Sequence, residues 1–512
     1  MTPAPPARAR RLPYRPPLWP VTVLWTLALG LWGLDRGHSL WRDEAATWQV
    51  ALRPTGEITH LLGQVDAVHG LHYLLVHAVF EVFGPSTTAL RLPSVLAFCV
   101  TAGLVTVLGQ RLSGRATGLA AGLLLGLLPA VQFQLQEGRA YALVTACVTA
   151  AGLLLVTALR RPPRSSPSPS RRRCAHWSLW PGYAALVLVA ALLNWLSLLV
   201  LPAHALTLAL ARAPRAVWTR WCAAAAAAGA GAAPLVWFSR TQSGQVSWIP
   251  ALTWQALLGP AALCALGAFG AWADGRARRA GPAGPGARPA GGPSLAAFAL
   301  PLLTVPFALL ALVSLVQPVF LDRYVLFTMV GLALSLGALL AAAARTVARR
   351  HPLTARLLVP VVVLLVFAAM LPTQLANRSP ASRVDDVFSA AERVARVKRP
   401  GDAVLFVPAA RRDTALVSPA AFRGLADVAL ARSPIASGTL KGEESAPAEI
   451  RRALLARQRV VLVSDAGKAA ARPAGAERDR VKLTTLREHF RLVSDESARG
   501  RRVSVWERLP GH

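Results

Sequence analysis

Lysine is missing from the first 372 residues of this 512-residue chain, and charge of either sign is scarce: Asp, Glu, Lys and Arg make up 16% of the whole, against about a quarter in an ordinary soluble domain. With 54% hydrophobic residues and a mean hydropathy of +0.43, that scarcity excludes a simple cytosolic enzyme. Cysteine is nearly absent as well. The five present, Cys99, Cys147, Cys174, Cys222 and Cys264, lie in or beside apolar runs without CxxC or Cys/His spacing. They read as small buried hydrophobes, with no disulfide or metal role.

What charge there is runs positive, with 56 Lys+Arg against 25 Asp+Glu and a net charge of +31. Such an excess suits nucleic acid or an anionic membrane surface, and its placement selects the membrane. Residues 1–372 hold 30 Arg and nine acids, with the arginines clustered between apolar runs, whereas residues 373–512 hold 26 Lys+Arg and 16 acids in a soluble-domain composition.

Crossing a bilayer takes roughly 17–25 apolar residues per helix. Eleven such runs lie near 18–34, 90–110, 116–133, 140–159, 179–194, 196–211, 221–238, 255–272, 294–317, 324–344 and 355–372. The first follows a basic tail, residues 1–17, and has no small-residue cleavage site after it, so it reads as an uncleaved anchor. The loops 111–115, 160–178, 212–220, 273–293 and 345–354 carry the arginine clusters, a positive-inside pattern that makes the N-terminus cytoplasmic. The pattern survives only if the fifteen-residue segment 70–84, GLHYLLVHAVFEVFG, does not span. It is therefore expected as an amphipathic helix on the outer surface, its histidines toward water or a site, with a short tilted span as the competing reading. Loops 160–178 and 273–293, rich in Pro, Gly, Ser and Arg, read as linkers drawn to anionic lipid, not as nucleic-acid motifs.

On this topology eight of the nine acids of the first part, Asp35, Asp43, Glu44, Glu57, Asp66, Glu81, Glu137 and Asp322, fall outside, and only Asp274 inside. Acids contribute little to orientation, so the sorting points to chemistry on the outer face. The long first outer loop, 35–89, places Asp43 and Glu44 side by side among Trp41, Ala45, Ala46 and Trp48; carboxylates buried at an interface are costly and usually functional. A short second loop brings Glu137 and Arg139 in LQEGRAYAL, a local surface ion pair being the alternative, and a third brings Asp322, Arg323 and Tyr324 in FLDRYVL. Arginines that hold a lipid phosphate and a carboxylate that activates an acceptor hydroxyl are what glycosyl transfer from a lipid phosphate needs.

Asp43-Glu44 after the first span, VHGLHY at 68–73, RLPS at 91–94, EGRAYAL at 137–143 and the RY of 323–324 together resemble the GT-C membrane glycosyltransferases of family 39, which include the protein O-mannosyltransferases and the aminoarabinose transferase of lipid A. The likeness covers about residues 18–345, and the Ala/Arg richness suggests an actinobacterial type. The resemblance implies a multi-pass cell-membrane enzyme that moves a sugar, often mannose, from a polyprenyl-phosphate donor to a protein, lipid or wall-glycan acceptor on the outer face, with inversion. It implies Asp43 as general base with Glu44 beside it, Glu137 as the second acidic position, and Arg139 and Arg323 at the leaving lipid phosphate. No DxD motif or nucleotide-sugar fold is visible, which fits a lipid-linked donor and implies no cofactor or obligatory metal. Many members carry a His-Pro-Pro-Leu-Tyr-Tyr-like run where this chain has His69-Gly70-Leu71-His72-Tyr73; His69, His72 and Tyr73 are candidates for the substrate loop, with interfacial packing the alternative.

The fold expected is thus an α-helical polytopic membrane protein of about eleven spans over 18–372, followed by a small extracytoplasmic α/β domain over 373–512. In that domain AVLFVP and RVVLVSD read as buried strands, 385–397 and 447–458 as helices, and FRLVSDESARGRRVSVWERL as a strand pair. A lipid or polysaccharide transporter without transferase activity is the alternative function. It would be expected to show internal repeats and broken spans with polar residues near the midplane, which the sequence does not.

Overall fold

The computed structural model describes residues 16–160, 179–242, 249–280, 292–467 and 476–510. Helix α1 (Trp19–Leu31) is followed by a loop that folds into three short helices, α2 (Arg42–Ala51), α3 (Thr55–Gln64) and α4 (Gly70–Phe83). The membrane part continues as α5 (Thr87–Ser113), α6 (Arg115–Leu125), α7 (Pro129–Leu135), α8 (Tyr141–Leu159), α9 (Leu179–Leu193), α10 (Val200–Leu210), α11 (Arg215–Thr241), α12 (Trp254–Arg279), α13 (Leu295–Ser314), α14 (Thr328–Ala348) and α15 (Pro352–Arg378). Seven of these, α5, α8 and α11 to α15, are long and apolar enough to cross a membrane, and the α6–α7 pair makes an eighth if taken as one span bent by 59°. The other three apolar runs are the shorter helices α1, α9 and α10.

The α6–α7 bend has a local cause. Pro129 opens α7, and the residue before a proline is pushed out of the helical region, so Leu128 is extended and the chain turns. This returns residues 136–139 to the loop that carries α2 to α4. Close helix approach elsewhere rests on small residues, as is usual in membranes: a Cβ on Gly109 of α5 would lie 2.7 Å from the Cα of Gly118 on α6.

Two expectations need adjustment. Residues 161–178 and 281–291 of the expected linkers lie outside the described residues, but 273–279 complete α12. The cause is Asp274, which accepts from Arg278 one turn on (2.9 Å), from Arg345 of α14 (2.6 Å) and from Ser113 of α5 (3.0 Å). The segment 70–84 is indeed helical, as α4. It turns Leu71, Leu74, Val82 and Phe83 outward and buries His72 and Tyr73.

The C-terminal part folds as α16 (Val387–Val397), β1 (Ala403–Val407), α17 (Asp413–Val417), β2 (Ala426–Asp427), β3 (Leu430–Arg432), β4 (Glu443–Glu444), α18 (Pro447–Leu455), β5 (Arg459–Asp465), α19 (Glu477–His489), β6 (Phe490–Ala498) and β7 (Arg501–Arg508). The main sheet has the order β2-β1-β5-β7-β6, with β1 parallel to β2 and β5 and the rest antiparallel. Alternate residues face opposite layers. Leu405, Val460 and Leu462 pack with Ile450 and Leu454 of α18 and Leu486 of α19, while Val404, Phe406, Val461 and Val463 pack with Ala390, Ala391 and Val394 of α16. The strands read from the sequence are β1, β5 and the β6–β7 pair; α19 was not foreseen, because its sequence is largely polar and buries few side chains.

Candidate active site

Successive residues on a helix point about 100° apart, so two adjacent carboxylates cannot face the same way. Asp43 and Glu44 occupy the first turn of α2, where the helix dipole favours negative charge, and they diverge accordingly. The Asp43 side chain is 28% exposed and lies 3.5 Å from Nη1 of Arg323. Glu44 is fully enclosed.

Glu44 accepts four hydrogen bonds, three on Oε1 and one on Oε2. Arg36 donates to it at 2.6 Å, Arg91 through two nitrogens at 2.8 Å, and the Gly138 amide at 3.1 Å. Burial alone would raise its pKa, but Arg36 and Arg91 outweigh burial and hold it well below the usual carboxylate range. Glu137 is bound in the same manner, accepting from Trp41 Nε1 (2.8 Å) and Arg383 (2.8 Å), with Arg36 at 3.2 Å. Two acids and three arginines thus form a lattice beneath α2, as buried charges require. Arg36 sits in the left-handed backbone region (φ 50°), uncommon for a residue other than glycine, and the two buried carboxylates hold it there.

The lattice fixes residues 137–139 against α2 and α4. Gly138 gives its carbonyl to Thr47 (3.1 Å) and to Nε2 of His72 (3.0 Å), which therefore carries the proton. Ser94 donates to the Glu137 carbonyl at 2.6 Å. Arg139 is then aimed under Asp43, donating to the Asp43 carbonyl (3.3 Å), to Thr47 (3.4 Å) and to Nε2 of His69 (3.0 Å). His69 has to accept that bond, so it is neutral. Burial first, and then the Arg139 charge, push its pKa well below the ordinary value, whereas Arg139 is held cationic because Tyr141 and Asp43 outweigh its own burial.

Two further elements complete the cluster. Asp66, in left-handed backbone (φ 58°), accepts from Tyr73 at 2.7 Å; burial raises its pKa, against the opposing pull of Tyr73 and Arg139. Arg323 lies in the single 3-10 turn Asp322–Val325 and stands 6.0 Å from the Tyr141 ring centroid, with Tyr324 6.2 Å from Tyr141. Five of the eight residues singled out in the sequence, Asp43, His69, Tyr73, Arg139 and Arg323, therefore meet in one place. Glu44, Glu137 and His72 lie one layer behind, buried and paired. Sequence reasoning did not place Asp66, Tyr141 and Tyr324 in the site, although Asp66 was among the eight outer acids and both tyrosines stood within the quoted motifs. It also missed Arg36 and Arg383, which carry no local signal. Among the described residues no three His, Cys, Asp or Glu side chains group as metal ligands.

The cluster offers one accessible carboxylate beside two guanidiniums, an arrangement that can take a proton from a hydroxyl while holding an anion. Comparison with solved structures bears on its setting. ArnT from Cupriavidus metallidurans in the apo state superposes with a TM-score of 0.58 at 14% identity, over 95% of this chain and 97% of that one. The chain has the GT-C fold. ArnT from the same organism bound to undecaprenyl phosphate gives a TM-score of 0.53 at 13% identity, over the same shares of the two chains. No family model matches the sequence, and no curated protein does. The likeness therefore rests on the path of the chain over 95% of its length.

Proposed function

We propose that this GT-C chain is a membrane glycosyltransferase that moves a sugar, mannose in our reading, from a polyprenyl-phosphate carrier to an acceptor hydroxyl on the outer face. The observation that carries the reading is the meeting of Asp43, Arg139 and Arg323 from three segments more than ninety residues apart. A structure of the same fold is described as bound to undecaprenyl phosphate, which supports a lipid-phosphate donor.

In this mechanism the Asp43 carboxylate accepts the proton of the acceptor hydroxyl as its oxygen attacks the anomeric carbon. The bond from that carbon to the phosphate oxygen breaks with inversion, and the polyprenyl phosphate leaves with the bonding pair. Arg139 and Arg323 stabilise the charge that develops on the phosphate. Two of the three nitrogens of a guanidinium can face one phosphate. His69, neutral, orients Arg139. Glu44 and Glu137 act through the lattice by holding the 137–139 segment, and His72 does so through its bond to Gly138. The scheme calls on no divalent metal.

The test is transfer of label from polyprenyl-phosphomannose in membranes holding wild-type protein or Asp43→Asn. We expect the variant to insert normally and transfer nothing; transfer at the wild-type rate would overturn the assignment of Asp43. Running the wild-type protein with polyprenyl-phosphoglucose in parallel tests the sugar.

A further inference from the structure

We infer that the C-terminal domain is a positioning element for the Asp43 helix, acting through a clamp made by Asp385, Asp386 and Arg501 on Arg42 and its neighbours. The inference rests on the role given to Asp43 above. The start of a helix leaves its first amides without partners, and the N-cap of α2, Trp41, has no side chain able to serve them. The partners come from more than three hundred residues away. Asp385 accepts from the Arg42 amide (3.1 Å) and from Arg42 Nε (2.9 Å), Asp386 accepts from the Leu40 amide (3.2 Å), and the Val387 amide donates to the Leu40 carbonyl at 2.6 Å. Helix α2 is thus capped by another domain, one residue before Asp43.

The clamp is itself rigidly held. Asp385 is buried against Arg501 of β7 (3.1 Å), a fully enclosed side chain that also binds Asp413 of α17 at 2.7 Å. Asp386 is held by Arg499 at 2.9 Å. The back of α2 is covered from the same side: Trp48 meets Phe388 edge-on at 5.7 Å and packs in one cluster with Val387 and Val417.

The sheet topology points the same way. The chain leaves β1 for β2 on one side and later returns to β5 on the other. In open α/β sheets the crevice beyond the carboxyl ends at such a switch point is where a ligand normally sits. Here it receives Arg42, whose Nη2 lies 3.5 Å from Asp465 at the end of β5, beside the Arg411–Asp465 pair at 2.6 Å. The edge that such domains devote to small molecules is turned onto the Asp43 helix, so the domain orients the proton acceptor while the anion-holding Arg139 and Arg323 stand on other elements.

The test compares Asp385→Ala, Arg42→Gln and Leu454→Ala in the full-length protein, with Asp43→Asn alongside, measuring kcat, the KM for the polyprenyl-phosphate donor and the thermal midpoint. Displacing a catalytic group by about 1 Å can cost up to about a hundredfold. We expect Asp385→Ala and Arg42→Gln to lose at least about tenfold in kcat with KM within about twofold of wild type. Leu454→Ala, which thins the domain's own core under α18, should lower the midpoint and leave kcat unchanged. If Asp385→Ala fails to fold, Arg42→Gln, whose side chain is 30% exposed, carries the test. Unchanged kcat in Arg42→Gln, or an equal loss in Leu454→Ala, overturns the clamp while an inactive Asp43→Asn leaves the proposed function standing. An active Asp43→Asn overturns the reading beneath both.

Discussion

Adjacent acids one helical step apart should respond in opposite ways to the same chemical change. Consider Glu44→Gln and Asp43→Asn, each removing one charge and keeping the side-chain size. Glu44 receives four hydrogen bonds, three of them from guanidiniums, in a position closed to solvent. A glutamine offers a single oxygen and turns an amide NH2 toward groups that also donate, leaving Arg36 and Arg91 buried with their main counter-charge gone. Removing one partner of a buried ion pair costs about 3–5 kcal/mol. At about 2 °C per kcal/mol, the low end for large domains, the thermal midpoint should fall by roughly 6–10 °C. Asp43 loses only a half-open contact with Arg323 at 3.5 Å, and pairs of that kind contribute about 0–1 kcal/mol, so its midpoint should move by no more than about 2 °C. Activity should show the reverse order, with Asp43→Asn inactive and Glu44→Gln retaining part of its transfer well below its midpoint. Thermal scans of the detergent-solubilised protein, with label transfer measured on the same preparations, give both readouts. A Glu44→Gln midpoint equal to wild type, or an Asp43→Asn loss of stability exceeding it, would refute the division of labour.

The same cluster sets two further outcomes. Adding undecaprenyl phosphate at about a hundred times its Kd should stabilise the protein by about 2.7 kcal/mol, and Arg139→Gln or Arg323→Gln should reduce that shift in a thermal scan while leaving the ligand-free midpoint of Arg323→Gln nearly unchanged. For pH, His69 has a folded-state pKa depressed below its ordinary 6.5, so the unfolded chain binds the proton more readily. Its stabilising neutral form is then fully present above pH 6.5 and its contribution falls as pH drops below that value. His69→Gln, which keeps an acceptor for Arg139, should flatten the fall of the midpoint between about pH 6.5 and 5; an unchanged slope would count against a neutral His69.

What the sequence discloses here depends on the range of the interactions involved. Apolar length is a local property, and each of the eleven runs is helical, while the short apolar runs in 403–407 and 459–465 are local enough to show as β1 and β5. Asp43, Arg139 and Arg323 were legible because each sits in a short motif whose residue types suggest an anion and a proton acceptor. Their meeting could be expected from the topology, which puts their three loops at one membrane level, and from a family resemblance. The layer behind them could not be read, because it depends on which face of α2 turns inward. A helical step of 100° says that Asp43 and Glu44 part ways, but choosing between them requires knowing that Arg36, Arg91 and Arg383 converge from a turn, a span and the start of the C-terminal part. Glu137 and Arg383 are 246 residues apart, and no periodicity links them. The same holds for Asp385, which opens a segment read only as a helix and serves the start of α2. Charge placed at short range announces where chemistry happens, whereas the charge that holds it in place is paired at long range and becomes visible only once the chain has folded.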